Sequence, residues 1–201
     1  MPRILGVTGN IACGKTVVGR MLQELGVERY IDADALVHRL YLPGQPIAVR
    51  VAEAFGPAVV DAAGGIDRKT LGAIVFNNAQ ALRRLEAIVH PAVGGALFEE
   101  LAQVSPQGIA VIDAVKLLEG GSGALCQSKW LVICEEQQQL ARLMQRNQLS
   151  QEEARARLDV QPAVAARIRL VDDIIDNSGT LAQTRAQVEA AFARFQQRFP
   201  P

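Results

Sequence analysis

The sequence predicts an α/β fold, a doubly wound parallel sheet of about five strands. Three observations point to it. Short, near-continuous apolar runs recur along the chain, as expected of parallel strands covered on both faces. Longer stretches with helical periodicity separate them. The first apolar run also feeds directly into a glycine-rich turn and then a helical pattern, "GVTGNIACGKTVVG" at 6–19.

Taken in order, "RILGVT" (3–8) is the first strand and 15–25 the first helix. "RYIDAD" (29–34) contains the second strand. "GIAVIDA" (108–114) is the third, "KWLVICE" (129–135) the fourth and "DDIIDN" (172–177) a short fifth. Further helices are expected at 86–104, about 135–146 and 181–198. The gap between strands two and three is too long for one crossover helix. Residues 35–88 therefore read as a small inserted lobe of two to four short helices, broken by "PGQP", "GP" and "AAGG". The polar, Arg- and Gln-rich segment that follows the fourth strand is expected to fold as a helical hairpin, 135–147 and 150–158, able to serve as a lid. Ser150 with Glu153 forms a capping box at the start of its second helix. The expected division is a core of 1–34, 89–140 and 166–201, a lobe at 35–88 and a lid at 141–165.

Composition narrows the function. Lys plus Arg equals Asp plus Glu at 21 each, so no global charge favours nucleic acid or an anionic membrane. No apolar run approaches a membrane span, and the N-terminus enters a strand pattern at once, leaving no room for a signal peptide. Cys13, Cys126 and Cys134 are odd in number and widely spaced, which suggests a reducing, cytoplasmic setting without a disulfide framework or zinc site.

Gly9-Asn10-Ile11-Ala12-Cys13-Gly14-Lys15-Thr16 fits G-x-x-x-x-G-K-[ST] without mismatch. Such glycines let the backbone curl so that its N–H groups face phosphate oxygens, and the helix that follows adds partial positive charge. Lys15 would neutralise the β and γ phosphates, and the Thr16 hydroxyl is placed for Mg²⁺. Strand before and helix after make this a P-loop NTPase-like phosphate site. A chance match in a glycine-rich turn is the competing explanation.

Three further clues concern the reaction. In "IDAD", Asp32 and Asp34 stand two apart at the carboxyl end of strand two, the edge that faces the ligand crevice in open sheets. An extended backbone would put both on one side. One could take the proton of an attacking hydroxyl, and the other could help hold the metal; Asp34 is equally placed to cap the following helix. Asp113 ends the third apolar run, as an acidic Mg²⁺ element would. Arg142 and Arg146, four apart, could lower a guanidinium over transferring phosphate or simply be solvated. Cys13, beside Lys15 and a helix start, is expected to have a lowered pKa and to be reactive.

Together, "GVTGNIACGKT", "IDAD", "IVHPAV", "DAVKLLE", "LMQRN" and "VDDIIDNSGT" resemble the dephospho-coenzyme A kinase family from residue 4 to about 180. The resemblance implies ATP-dependent phosphorylation of the ribose 3′-hydroxyl of dephospho-CoA, the last step of CoA synthesis, with Mg²⁺. It implies that the loop from Gly9 to Thr16, with Thr8 and Val17 beside it, takes the ATP phosphates. Asp34 would be the base. Arg146 would cover the phosphates, with Arg142 contributing, and Asn177 would lie near the adenine. Thr16, Asp32 and Asp113 would serve the metal. His90 matches the family's "HP" and is structural or on the substrate side. The inserted lobe would hold the pantetheine end. The expected partners are the two small substrates, with no nucleic acid and no membrane, for a monomer or weak homo-oligomer. The chain departs from the family at Cys13, where a small residue such as Ser is usual, at Val17, usually Thr or Ser, and at Lys116, usually Pro. Lys116 would face substrate, or else pair with Asp113 or Glu119. Two other readings are a different small-molecule P-loop kinase, such as a nucleotide kinase, and a regulatory nucleotide-binding protein without turnover.

Overall fold

The computed structural model of the chain describes residues 1–76 and 78–201. Five strands form one sheet in the order β2-β3-β1-β4-β5. They are β1 (Arg3–Thr8), β2 (Arg29–Asp32), β3 (Ile109–Asp113), β4 (Ser128–Ile133) and β5 (Asp173–Asp176). β1 pairs in parallel with β3, setting Val7 beside Asp113, and with β4, setting Thr8 beside Leu131. β4 pairs in parallel with β5 up to Ile133 beside Asp176. The five apolar runs are thus the five strands. Leu5, Val7, Ala110, Val111 and Ile112 are fully buried, as strands covered on both faces must be.

The order carries a functional consequence. From the central β1 the chain moves to the β2–β3 side first and then returns to build β4 and β5 on the other. Ligands of open α/β sheets bind beyond the carboxyl ends of the strands where the winding reverses, and here that is the end of β1.

The chain divides into two compact units, one of Met1–Ile31 with Leu101–Pro201 and one of Asp32–Glu100. In the first, helix α1 (Lys15–Glu24) and the last helix (Leu181–Arg198) bury Val18, Met21, Leu22, Val188, Phe192 and Phe195 against the sheet with Leu5, Val7 and Trp130. The second contains α2 (Ala33–Leu40), α3 (Pro46–Phe55), a 3₁₀ turn (Pro57–Val59), α4 (Arg68–Phe76) and α5 (Ala79–Leu101) up to Glu100. Its own core gathers Tyr41, Ile47, Val51, Val59, Ile66, Leu71 and Val89. Local signals set the helix starts there. Asp67 accepts the Lys69 and Thr70 N–H groups ahead of α4, which lowers its pKa, first through the Thr70 hydroxyl. Asn78 does the same for Gln80 and Ala81 ahead of α5.

α5 starts well before the expected residue 86, because the Asn78 cap, not the apolar periodicity, decides where it begins. In the first unit, α6 (Glu136–Asn147) and α7 (Gln151–Asp159) form the hairpin anticipated from the sequence, with the Ser150–Glu153 capping box in place. A short helix, α8 (Val164–Ile168), was not anticipated; α9 (Leu181–Arg198) follows β5 and opens on a second capping box, Thr180 with Gln183.

Candidate active site

The loop after β1 is bent by two residues in the left-handed region, Ala12 (φ 61) and Gly14 (φ 105). Left-handed residues two positions apart, on either side of Cys13, turn successive N–H groups toward a shared concavity, the geometry of an anion nest. For Ala12 this backbone costs about 1–2 kcal/mol, so the surroundings must impose it. They do so by hydrogen bonds. The Cys13 N–H donates to the Asn10 carbonyl (3.3 Å), and the Asn177 side-chain amide donates to the Cys13 carbonyl (3.0 Å). A Cβ at Gly14 would collide with that Asn177 amide, so glycine is required both by φ and by space. The Val17 and Val18 N–H groups already bond the Gly14 carbonyl, and α1 begins at Lys15 with its amino end on the loop.

Lys15 points its ammonium back over the loop. Nζ lies 3.3 Å from the Gly9 carbonyl and 3.8 Å from Asp113 Oδ1. Asp113, buried at the end of β3, also accepts the Tyr30 hydroxyl at 2.6 Å. Thr16 is exposed in the first turn of α1. Thr8, Gly9 to Thr16, Asp113 and Asn177 therefore lie together in one unit. Thr8 and Asn177 are both buried. Each spends its polar atoms on protein: Thr8 Oγ1 faces the Ala114 carbonyl (2.8 Å), and Asn177 Oδ1 accepts the Thr184 hydroxyl (3.0 Å).

One expectation at this loop is corrected. Cys13 does not have a lowered pKa. Burial in the core pushes its thiol up from 9.0 to about 11, outweighing the opposing pull of Lys15. Cys126 is likewise pushed up to about 12 by burial. Of the two arrangements open for Lys116, pairing with Asp113 or Glu119 is absent: it is exposed and makes no ion pair among the described residues. Asp113 faces Lys15 and Tyr30, and Glu119 faces a different cation, Arg167 at 3.5 Å.

On α6, Arg142 donates to Gln138 and, at 3.3 Å, to the Asn177 carbonyl. Arg146 is exposed, and its Nε donates to the neighbouring Asn147 Oδ1 at 3.0 Å. Glu136 of α6 pairs with Arg155 of α7, joining the two arms of the hairpin.

Asp32, Asp34 and His90 belong to the other unit. There the extended arrangement of "IDAD" does not hold. β2 ends at Asp32 and α2 begins at Ala33, so the two carboxylates do not alternate along a strand. The cap is Asp32, whose Oδ1 accepts the Ala35 N–H at 2.8 Å; Asp34 sits in the first helical turn, where its charge suits the helix dipole. His90 is exposed on α5, just before Pro91.

Several residues at the loop had no sequence signal. Tyr30 is one. Gln139 donates to the Ile11 carbonyl at 2.5 Å, and the Ile11 N–H donates to Gln161 at 3.3 Å. Arg167 donates to Thr8, Asn10 and Val115. All lie far from the motif in sequence, and nothing in their neighbours marks them.

Comparison with known proteins agrees with this geometry. A family model described as CoaE, dephospho-CoA kinase, matches residues 3–183. The dephospho-CoA kinase of Symbiobacterium thermophilum is 45% identical over 192 residues, covering 94% of this chain and 80% of its own. The crystal structure of TT1252 from Thermus thermophilus superposes with a TM-score of 0.83 at 30% identity, over 96% of this chain and 97% of that one. Dephospho-CoA kinase from Campylobacter jejuni gives 0.59 at 27% identity over the same shares. A left-handed phosphate loop at the winding reversal, matched over nearly its full length in sequence and in structure, makes this chain a member of the dephospho-CoA kinase family.

Proposed function

We propose that this chain transfers the γ-phosphoryl group of ATP to the ribose 3′-hydroxyl of dephospho-CoA. One observation carries the reading. The loop between Gly9 and Thr16 holds two left-handed residues and a lysine directed back over it. That arrangement serves a polyphosphate and little else.

Phosphoryl transfer asks a protein mainly for positioning and charge stabilisation. The N–H groups of the loop would take phosphate oxygens. Lys15 would leave the Gly9 carbonyl for the β and γ phosphates, at whose oxygens charge develops. Asp34 would accept the proton of the ribose hydroxyl, and Arg146 would cover the transferring group from α6. Arg142 would reach ATP from the same face, while Asn177 holds the loop beside the adenine side. The lobe, 35–88, would bind the pantetheine end, with His90 on the substrate side. Lys116, exposed and uncommitted to an ion pair, is suited to a phosphate of either substrate.

Mg²⁺ would supply positive charge that offsets the negative charge of the ATP phosphates. The chain offers it hard oxygen donors, the exposed Thr16 hydroxyl and the Asp113 carboxylate 3.8 Å from Lys15. Among the described residues no group of three or more His, Cys, Asp and Glu could cage a metal, which suits an ion held chiefly by water and substrate phosphate. Asp32 would contribute only after releasing its cap bond to Ala35.

Among the described residues no helix is long and apolar enough to cross a membrane. The three cysteines are free thiols. We read the protein as cytoplasmic and as a monomer or weak homo-oligomer. The deciding experiment is ADP release with dephospho-CoA against nucleoside monophosphates, with and without Mg²⁺. Turnover confined to dephospho-CoA supports the proposal. Turnover with a nucleotide instead would make it a nucleotide kinase, and ATP binding without turnover a regulatory protein.

A further inference from the structure

The α8 segment inverts the usual pattern of burial. Ile168 is 40% exposed and Leu170 57%, while Arg167 between them and the core is 2% exposed. Arginine is almost never fully buried unless something specific holds it. Here the holding groups are all around the phosphate loop. Nη2 donates to Thr8 Oγ1 and to the Val115 carbonyl, both at 2.6 Å, and Nη1 donates to Asn10 Oδ1 at 3.1 Å. Nε lies 3.5 Å from Glu119, which is partly exposed and so only partly offsets the buried charge.

The partners define what the guanidinium connects. Thr8 is the last residue of β1, and Asn10 is the second residue of the phosphate motif. Val115 and Glu119 follow β3. Asn10 also donates to the Pro162 carbonyl at 3.1 Å, and the Ile11 N–H bonds the Gln161 side chain. The rising arm of the loop is thus fastened to 161–167, the segment that returns from the α6–α7 hairpin. The other arm is fastened to Asn177 through Cys13. An arm pinned on both flanks keeps the strained Ala12 backbone in its left-handed state.

We infer that Arg167 is a positioning residue for nucleotide binding, acting through Asn10 to hold the phosphate loop in its ligand-ready shape. A planar fork is needed because three acceptors are met from one edge in fixed directions. An ammonium carries the same charge but cannot span them together. The inference rests on the proposal that the loop binds ATP.

The test measures the dissociation constant for ATP by calorimetry, without acceptor, on the full chain and on Arg167→Lys, Asn10→Ala and the double variant, each checked for its melting temperature. Arg167→Lys keeps the charge. It should weaken ATP binding about tenfold, the scale of a lost charge-assisted hydrogen bond that held the site. Asn10→Ala should weaken it to a similar degree, and the double variant no more than the worse single one, since both remove the same link. A folded Arg167→Lys or Asn10→Ala protein with unaltered affinity would overturn the inference. So would losses that multiply in the double variant. If Arg167→Lys does not fold, Asn10→Ala alone decides, because Asn10 is a loop residue. Failure of the unaltered chain to bind ATP would remove the proposed function and this inference with it.

Discussion

The side-chain amide of Asn177 donates to the Cys13 carbonyl at 3.0 Å, joining the end of β5 to the middle of the phosphate loop across 164 residues of sequence. Its oxygen accepts the Thr184 hydroxyl of α9, so the whole amide is spent inside the protein. Asn177→Ala should leave the Cys13 carbonyl short of this partner, at about 1–3 kcal/mol before relaxation, while the Thr184 hydroxyl keeps its bond to the Thr180 carbonyl (3.3 Å). Thermal unfolding should show the loss. Weaker ATP binding should accompany it, because Ala12 and Gly14 lose the brace on their shared neighbour. Unchanged melting and unchanged ATP affinity would show that the contact holds nothing in place.

Lys15→Ala should keep the fold, since among the described residues the lysine side chain bonds only the Gly9 carbonyl and pairs with Asp113 at 3.8 Å. Turnover should fall about 10²–10³-fold, the range for losing one group aimed at developing charge. A folded variant with near-normal turnover would count against the phosphate assignment.

Asp34→Asn should lose kcat with little change in ATP affinity. The amide matches the carboxylate in size and polarity but cannot accept a proton, and the expected loss is about 10²–10⁴-fold. Helix α2 should be unharmed, because its cap is Asp32 and not Asp34. Asp32→Asn should also fold well, as Asn caps about as effectively as Asp. If Asp32→Asn is the inactive protein and Asp34→Asn the active one, the roles of the two carboxylates are exchanged.

Cys13 should resist alkylation near neutral pH whether or not nucleotide is bound, because its buried thiol is pushed up to about 11. The same shift sets a pH dependence. Above its ordinary value of 9.0 the unfolded chain releases the proton that the native chain keeps, so native stability falls as pH rises between about 9 and 11. Cys13→Ser cannot lose that increment. It should be the less stable protein at pH 8, with its deficit shrinking on approach to pH 11. Denaturant unfolding of both proteins across this range checks the sign, and a deficit that stays constant would contradict it.

Much was legible in the sequence because it is written locally. The five strands follow from apolar runs, the phosphate loop from glycine spacing, and the hairpin from Ser150 and Glu153. Each depends on residues a few positions apart. The same local reading misplaced the helix cap at "IDAD", because a carboxylate before a helix and a carboxylate in its first turn look alike until the backbone dihedrals separate Asp32 from Asp34. It gave Cys13 a reactive thiol because Lys15 is visible in sequence and burial is not. Only the tertiary structure could single out Tyr30, Gln139 and Arg167. An arginine in "ARIRL" reads as solvated surface. It becomes a buried brace only because the β1 and β3 ends and the return from the hairpin converge on one point, and burial is a property of that convergence and not of any local pattern.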